Sequence, residues 1–129
     1  MTREAVDTVL AQILRSARDE RVAVIAYCFM PDHLHLLVEG TDPASHLTEF
    51  VRVFKQRSSF HWKKLSGSEL WQRGYFERVL RGDESSIDVA RYILRNPLRA
   101  GIVESVEDYP FLGSLTMSVR ALLDSVSKD

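Results

Sequence analysis

The chain has 129 residues, 45% of them apolar and 27% charged, with a formal net charge of −1. These are the proportions of one globular domain with a usable core, and the near-neutral balance announces no polyanion partner at the level of the whole chain. No apolar run approaches the roughly 18 residues of a membrane helix. The charged start (Arg3, Glu4, Asp7) lacks a signal-peptide pattern, and a single cysteine, Cys28, excludes an internal disulfide. A cytoplasmic protein with no membrane association is expected.

Residues 4–18 set Ala5, Val6, Val9, Leu10, Ile13, Leu14 and Ala17 at helical spacing and predict an amphipathic helix. Residues 22–39 hold two apolar runs of strand length around a Met30-Pro31-Asp32 break and predict a hairpin. His33 and His35 lie two apart on the second run. They therefore share one face, about 7 Å apart along the strand, while Leu34, Leu36 and Val38 take the other.

Gly40-Thr41-Asp42-Pro43 predicts a helix start, with Asp42 as cap and Pro43 in the first turn. That helix runs from about Ala44 to Lys64 on an apolar stripe of Leu47, Phe50, Val51 and Phe54. Between Phe50 and Ser68 lie Arg52, Lys55, Arg57, Lys63 and Lys64 and no acid, with Phe60, His61 and Trp62 interleaved. The pattern suits a solvated helix face. A second reading is a phosphate-backbone track with aromatic surfaces for stacking bases.

Leu70-Trp71-Gln72-Arg73-Gly74 reads as a loop, residues 75–81 alternate as a strand, and residues 82–85 form a turn with Ser85 and Asp88 set like a capping box. The last clear helix covers residues 85–96 and stops before Pro97. Ile87, Val89, Ala90, Ile93 and Leu94 form its buried arc, Arg91 and Arg95 its exposed side. Tyr92 and Asn96, four apart, share a face at the edge of that arc. A weak helical pattern follows from about Thr116 to Val126. The expected organisation is one domain over residues 1–115 with a helical tail over residues 116–129.

His33 and His35 are compatible with a structural role. With an oxygen donor such as Asn96 they would also suit Mg²⁺ or Mn²⁺, with open positions for substrate oxygens. A structural zinc site would want four protein ligands, usually including thiolates, and only one cysteine exists. Tyr92 is an ordinary packing residue by type. As a nucleophile it begins from a pKa near ~10 and needs a base or a polarised electrophile, which a metal ion on a phosphate provides. Taken together, the strand histidines, the helical tyrosine with its amide one turn on, and the basic aromatic segment describe metal-assisted attack of a tyrosine on a DNA phosphodiester. The products would be a 5′-phosphotyrosine link and a free 3′-hydroxyl.

The sequence resembles the HUH-type single-strand tyrosine transposases, in particular their REP-associated branch. The matching text is Ala26-Tyr27-Cys28-Phe29-Met30-Pro31-Asp32-His33-Leu34-His35-Leu36-Leu37, then Phe54-Lys55-Gln56-Arg57, then Leu70-Trp71-Gln72-Arg73-Gly74-Tyr75-Phe76. Last comes Arg91-Tyr92-Ile93-Leu94-Arg95-Asn96-Pro97-Leu98-Arg99-Ala100-Gly101, with Asp108-Tyr109-Pro110 after it. The resemblance implies His33, His35 and Asn96 as ligands of Mg²⁺ or Mn²⁺ and Tyr92 as nucleophile. It implies single-stranded or hairpin DNA as partner, with Arg52, Lys55, Arg57, Lys63, Lys64, Trp71 and Arg73 as candidate DNA contacts. Some members act as homodimers, others as monomers.

The implied fold is a ferredoxin-like α/β (α+β) sandwich, an antiparallel-type sheet with helices on one face. Members of the family begin with a strand before the first helix, whereas this sequence starts inside that helix. The expected fold is therefore N-terminally truncated, lacking a central strand of the order 4-1-3-2. Three remedies are open: a start further upstream, parallel pairing of residues 75–81 with the histidine strand, or a second chain in the slot. Arg78 stands where many relatives carry histidine. Two further readings compete with an enzyme: an inactive shortened copy that only binds hairpin or single-stranded nucleic acid, and a small structural domain with no nucleic acid.

Overall fold

The computed structural model of the chain describes residues 2–71, 76–81, 86–116, 118 and 120–121. Helix α1 (Arg3–Asp19) leads into strands β1 (Val22–Phe29) and β2 (His33–Gly40). Helix α2 (Leu47–Ser66), strand β3 (Phe76–Arg81) and helix α3 (Ser86–Leu94) follow. A short turn of helix α4 (Asn96–Arg99), a 3₁₀ turn (Val106–Asp108) and strand β4 (Leu112–Gly113) complete the described fold. The result is an α+β protein with a four-stranded open sheet in the order β3-β2-β1-β4. The expected turn at 82–85, and residues 122–129 of the expected tail, lie outside the described residues. Among the described residues no helix is long and apolar enough to cross a membrane.

α1 forms for the reasons its spacing gives. Thr2 Oγ1 accepts from the backbone N–H of Ala5 at 3.2 Å, and Val6, Val9 and Ile13 are fully or almost fully buried. Leu14, assigned to the stripe by spacing, is 47% exposed. The hairpin is antiparallel, with Cys28 opposite His35 and Phe29 opposite Leu34. Its register shifts between Val24, opposite Val38, and Ala26, opposite Leu37. Ile25 is the extra residue of a β-bulge, and the bulge reverses which β1 residues face which way. Val22 and Val24 lie in one core cluster with Phe29, Leu34, Leu36 and Val38, against α1 and α2. Ala26 and Cys28 lie in the other, with Leu37 and with Ala90, Ile93 and Leu94 of α3.

The helices therefore cover both faces of the sheet, α1 and α2 on one and α3 on the other, where the resemblance implied one face only. The apolar run of β1, filled on both sides, is the physical reason: neither face is available to solvent. Of the three remedies for the open flank of β2, the chain adopts the parallel one. β3 pairs with six of the eight residues of β2, from His33 opposite Phe76 to Val38 opposite Arg81, and so gives partners to the backbone of that stretch of the edge.

Two boundaries differ from expectation. α2 starts at Leu47 with His46 as its cap residue, not near Ala44. Asp42 instead closes a tight turn, its carboxylate accepting from the Ala44 N–H at 2.7 Å while its carbonyl accepts from Ser45 at 3.1 Å. α2 ends on Gly67 in the left-handed conformation, φ 73°. α3 ends at Leu94 rather than Asn96, and Pro97 sits in the first turn of α4. Proline lacks the N–H that would continue α3 but suits the start of a new turn. On the far edge of β1, Gly113 lies opposite Tyr27, and a side-chain carbon there would fall 2.6 Å from the Tyr27 hydroxyl.

Candidate active site

Strand alternation puts His33, His35 and Leu37 on the face of β2 that α3 covers. The two imidazoles meet edge to face, with ring centroids 4.4 Å apart and Nε2 to Nε2 at 2.6 Å. His33 Nδ1 lies 2.6 Å from Asp32 Oδ1. In the neutral His33 ring this fixes the proton on Nδ1, leaving the Nε2 lone pair turned toward His35. His35 is buried, 7% exposed, and its Nδ1 has no hydrogen-bond partner among the described residues. Burial first, then the positive charges of His33, Arg78 and Arg99, hold its pKa down to about 4. His35 is therefore a neutral imidazole at physiological pH, the form that binds a metal. Cys28, across the ladder from His35, has its thiol pushed up to about 12 by burial and is a buried apolar contact rather than a nucleophile.

Tyr92 stands on α3 and is 56% exposed. Because Ala90, Ile93 and Leu94 seat α3 on the Leu37 face of the sheet, the helix that carries the phenol packs on the same side as the imidazoles. Asn96 is half-buried, with its Nδ2 buried and unpartnered among the described residues. Both residues are joined by one the sequence reading left without a role. The Arg99 guanidinium carbon lies 3.8 Å from the centroid of the Tyr92 ring. Its Nη2 donates to the Tyr92 carbonyl at 2.6 Å and to Asn96 Oδ1 at 3.2 Å. Helical spacing gives no signal for it, because α3 ends at Leu94 and Arg99 lies in a separate turn beyond Pro97.

Among the described residues no group of three or more His, Cys, Asp or Glu could hold a metal ion. A third donor to the histidine pair would have to be of another type, such as the Asn96 amide. Two convergent imidazoles, one neutral and one set in its tautomer by a carboxylate, suit a divalent ion; the Asn96 carbonyl oxygen already accepts from Arg99 and has one further lone pair to offer, while its buried Nδ2 is a donor and cannot bind a metal.

The basic segment is less free than its sequence suggests. Arg52 pairs with Glu49, Lys55 Nζ lies 2.8 Å from Glu77, and Arg57 lies 2.9 Å from Asp19 and 3.1 Å from Ser16 Oγ. Lys63 and Lys64 are exposed, and Lys64 Nζ lies 5.7 Å from the centroid of Phe60, itself 63% exposed. Trp71 packs half-buried against Phe54, with Lys55 over its ring at 5.2 Å. With Ser59, Lys63, Glu69 and Leu70 it lines a surface cleft. Arg73 lies outside the described residues. The α2 segment thus packs on the sheet face opposite the imidazoles.

A family model described as "Transposase IS200 like" matches residues 1–96. The chain is 32% identical over 98 residues to a Haemophilus influenzae protein named "Putative REP-associated tyrosine transposase", a match covering 67% of this chain and 56% of that one. It is 27% identical over 103 residues to the Escherichia coli "REP-associated tyrosine transposase", covering 77% of this chain and 58% of the relative. The chain thus spans little more than half the length of these curated relatives. No solved structure matches it.

Proposed function

We infer the function of this chain from its family, for it belongs to the IS200-like transposases, and we propose that it cleaves and rejoins single-stranded or hairpin DNA through a covalent 5′-phosphotyrosine intermediate on Tyr92. The observation that carries the reading is the side of the sheet: the tyrosine helix and both imidazoles occupy one face, with Asn96 one turn beyond the phenol.

In the proposed step Tyr92 Oη forms a bond to phosphorus and the bond from phosphorus to the 3′ oxygen breaks. The phenol proton passes to solvent, and the departing 3′ oxygen takes one up. One phosphodiester replaces another, so a later 3′-hydroxyl can reverse the exchange and join strands. His33 Nε2, His35 Nε2 and Asn96 Oδ1 would hold Mg²⁺ or Mn²⁺, which when bound would draw charge from the non-bridging oxygens of the phosphate. Asp32 orients His33, and burial keeps His35 unprotonated and ready to bind. The protein would act in the cytoplasm, in transposition or mobilisation of repeats.

The test is direct. Incubated with end-labelled hairpin DNA and Mn²⁺, the protein should form a covalent adduct that Tyr92→Phe abolishes. Tight binding with no adduct would favour the other reading, a copy that holds DNA without cutting it.

A further inference from the structure

We propose that Arg99 is a catalytic residue of this site, its guanidinium stacked on the Tyr92 ring and offering Nε and Nη1 to the non-bridging oxygens of the phosphate that Tyr92 attacks. The proposal rests on the phosphodiester reading given above and adds a specific cation to it.

Three observations support it. The 3.8 Å approach to the Tyr92 ring is well inside the range at which a cation and an aromatic face attract. The contact holds the guanidinium over the face of the phenol ring. A guanidinium has five N–H donors in a rigid fork. The two on Nη2 are used, one by the Tyr92 carbonyl and one by Asn96 Oδ1. The three on Nε and Nη1 have no partner among the described residues, and the side chain is exposed on the same surface as the phenol. Finally, no carboxylate neutralises this cation among the described residues, whereas Arg52, Lys55 and Arg57 are each paired with one.

An arginine closing a helix C-terminus would explain the bond to the Tyr92 carbonyl. It would explain neither the stacking on the phenol nor the bond to the Asn96 side chain. The fork matches two phosphate oxygens, and arginine stays protonated throughout. Its role is therefore to stabilise the charge that grows on those oxygens as the bond from Tyr92 Oη to phosphorus forms and the bond to the 3′ oxygen breaks.

The experiment pairs a variant with a neutral phosphate. The bond cut by the wild-type protein in a single-stranded hairpin oligonucleotide with Mn²⁺ is located by sequencing. The oligonucleotide is then remade with a methylphosphonate at that bond, which removes one charged oxygen. On the phosphodiester, Arg99→Ala should slow adduct formation by about 10² to 10³-fold, and Arg99→Lys should recover part of it. On the methylphosphonate the same substitution should cost several-fold at most. An equal penalty on both substrates would reduce Arg99 to a helix cap and overturn the proposal. If Arg99→Ala melts early, the comparison is made with Arg99→Lys, which keeps the charge and loses the fork. Failure of the underlying reading looks different: wild-type protein gives no adduct, or Tyr92→Phe still gives one, and the Arg99 role falls with it.

Discussion

Asp32 and His33 are adjacent in sequence and joined side chain to side chain, Nδ1 to Oδ1 at 2.6 Å. That bond sets the tautomer of the neutral His33 ring and leaves its Nε2 lone pair facing His35. The hydrogen bond in turn holds the exposed Asp32 carboxyl below its usual range. Carboxylates in this position on a metal-binding histidine are worth about 10 to 100-fold in affinity. Asp32→Asn should weaken Mn²⁺ binding by that factor in a calorimetric titration with little change in melting temperature. Unchanged affinity would remove His33 from the proposed ligand set.

His35 makes stability depend on pH. Its folded pKa is about 4, against an ordinary value of 6.5. Between those values the unfolded chain binds a proton that the folded chain refuses, so stability falls as pH drops through that window and is fully present above it. In EDTA, the urea midpoint of the wild type should fall between pH 7 and pH 5 by more than that of His35→Gln. Parallel losses in the two proteins would mean that His35 is not the group responsible.

The basic residues of α2 divide into two kinds. Lys63 has no carboxylate partner among the described residues, whereas Arg57 ties α2 to Asp19 and Ser16 of α1. If DNA runs along this helix, Lys63→Ala should flatten the salt dependence of affinity by about one unit of slope. Arg57→Ala should instead lower the unfolding midpoint and leave the slope nearly unchanged. A slope unaffected by Lys63→Ala would move the DNA path elsewhere.

Much of this arrangement is legible before any coordinates. The stripes of α1 and α2, the hairpin, the shared face of His33 and His35, and the turn separating Tyr92 from Asn96 all follow from local periodicity. What periodicity misses is non-local. The bulge at Ile25 carries no Gly or Pro to mark it, yet it decides that Cys28 and not Phe29 stands beside the histidines. An acid-free stretch of sequence is not an unpaired one, because Asp19 and Glu77 reach Arg57 and Lys55 from other elements. The side of the sheet taken by α3 depends on how the chain crosses over after β3, which no window of sequence records. Arg99 hides behind Pro97: a reader who ends the helix there stops short of the residue that folds back over Tyr92.

The parallel partnership of β3 with β2 has a mechanical consequence for the imidazoles. With β1 on one flank and β3 on the other, their strand is anchored by two ladders at once. Sliding it by a single residue would tear both and turn Leu34 and Leu36 out of their core. The aim of the two proposed metal donors is therefore held by the girders around them, and any load placed on the pair is spread across the sheet.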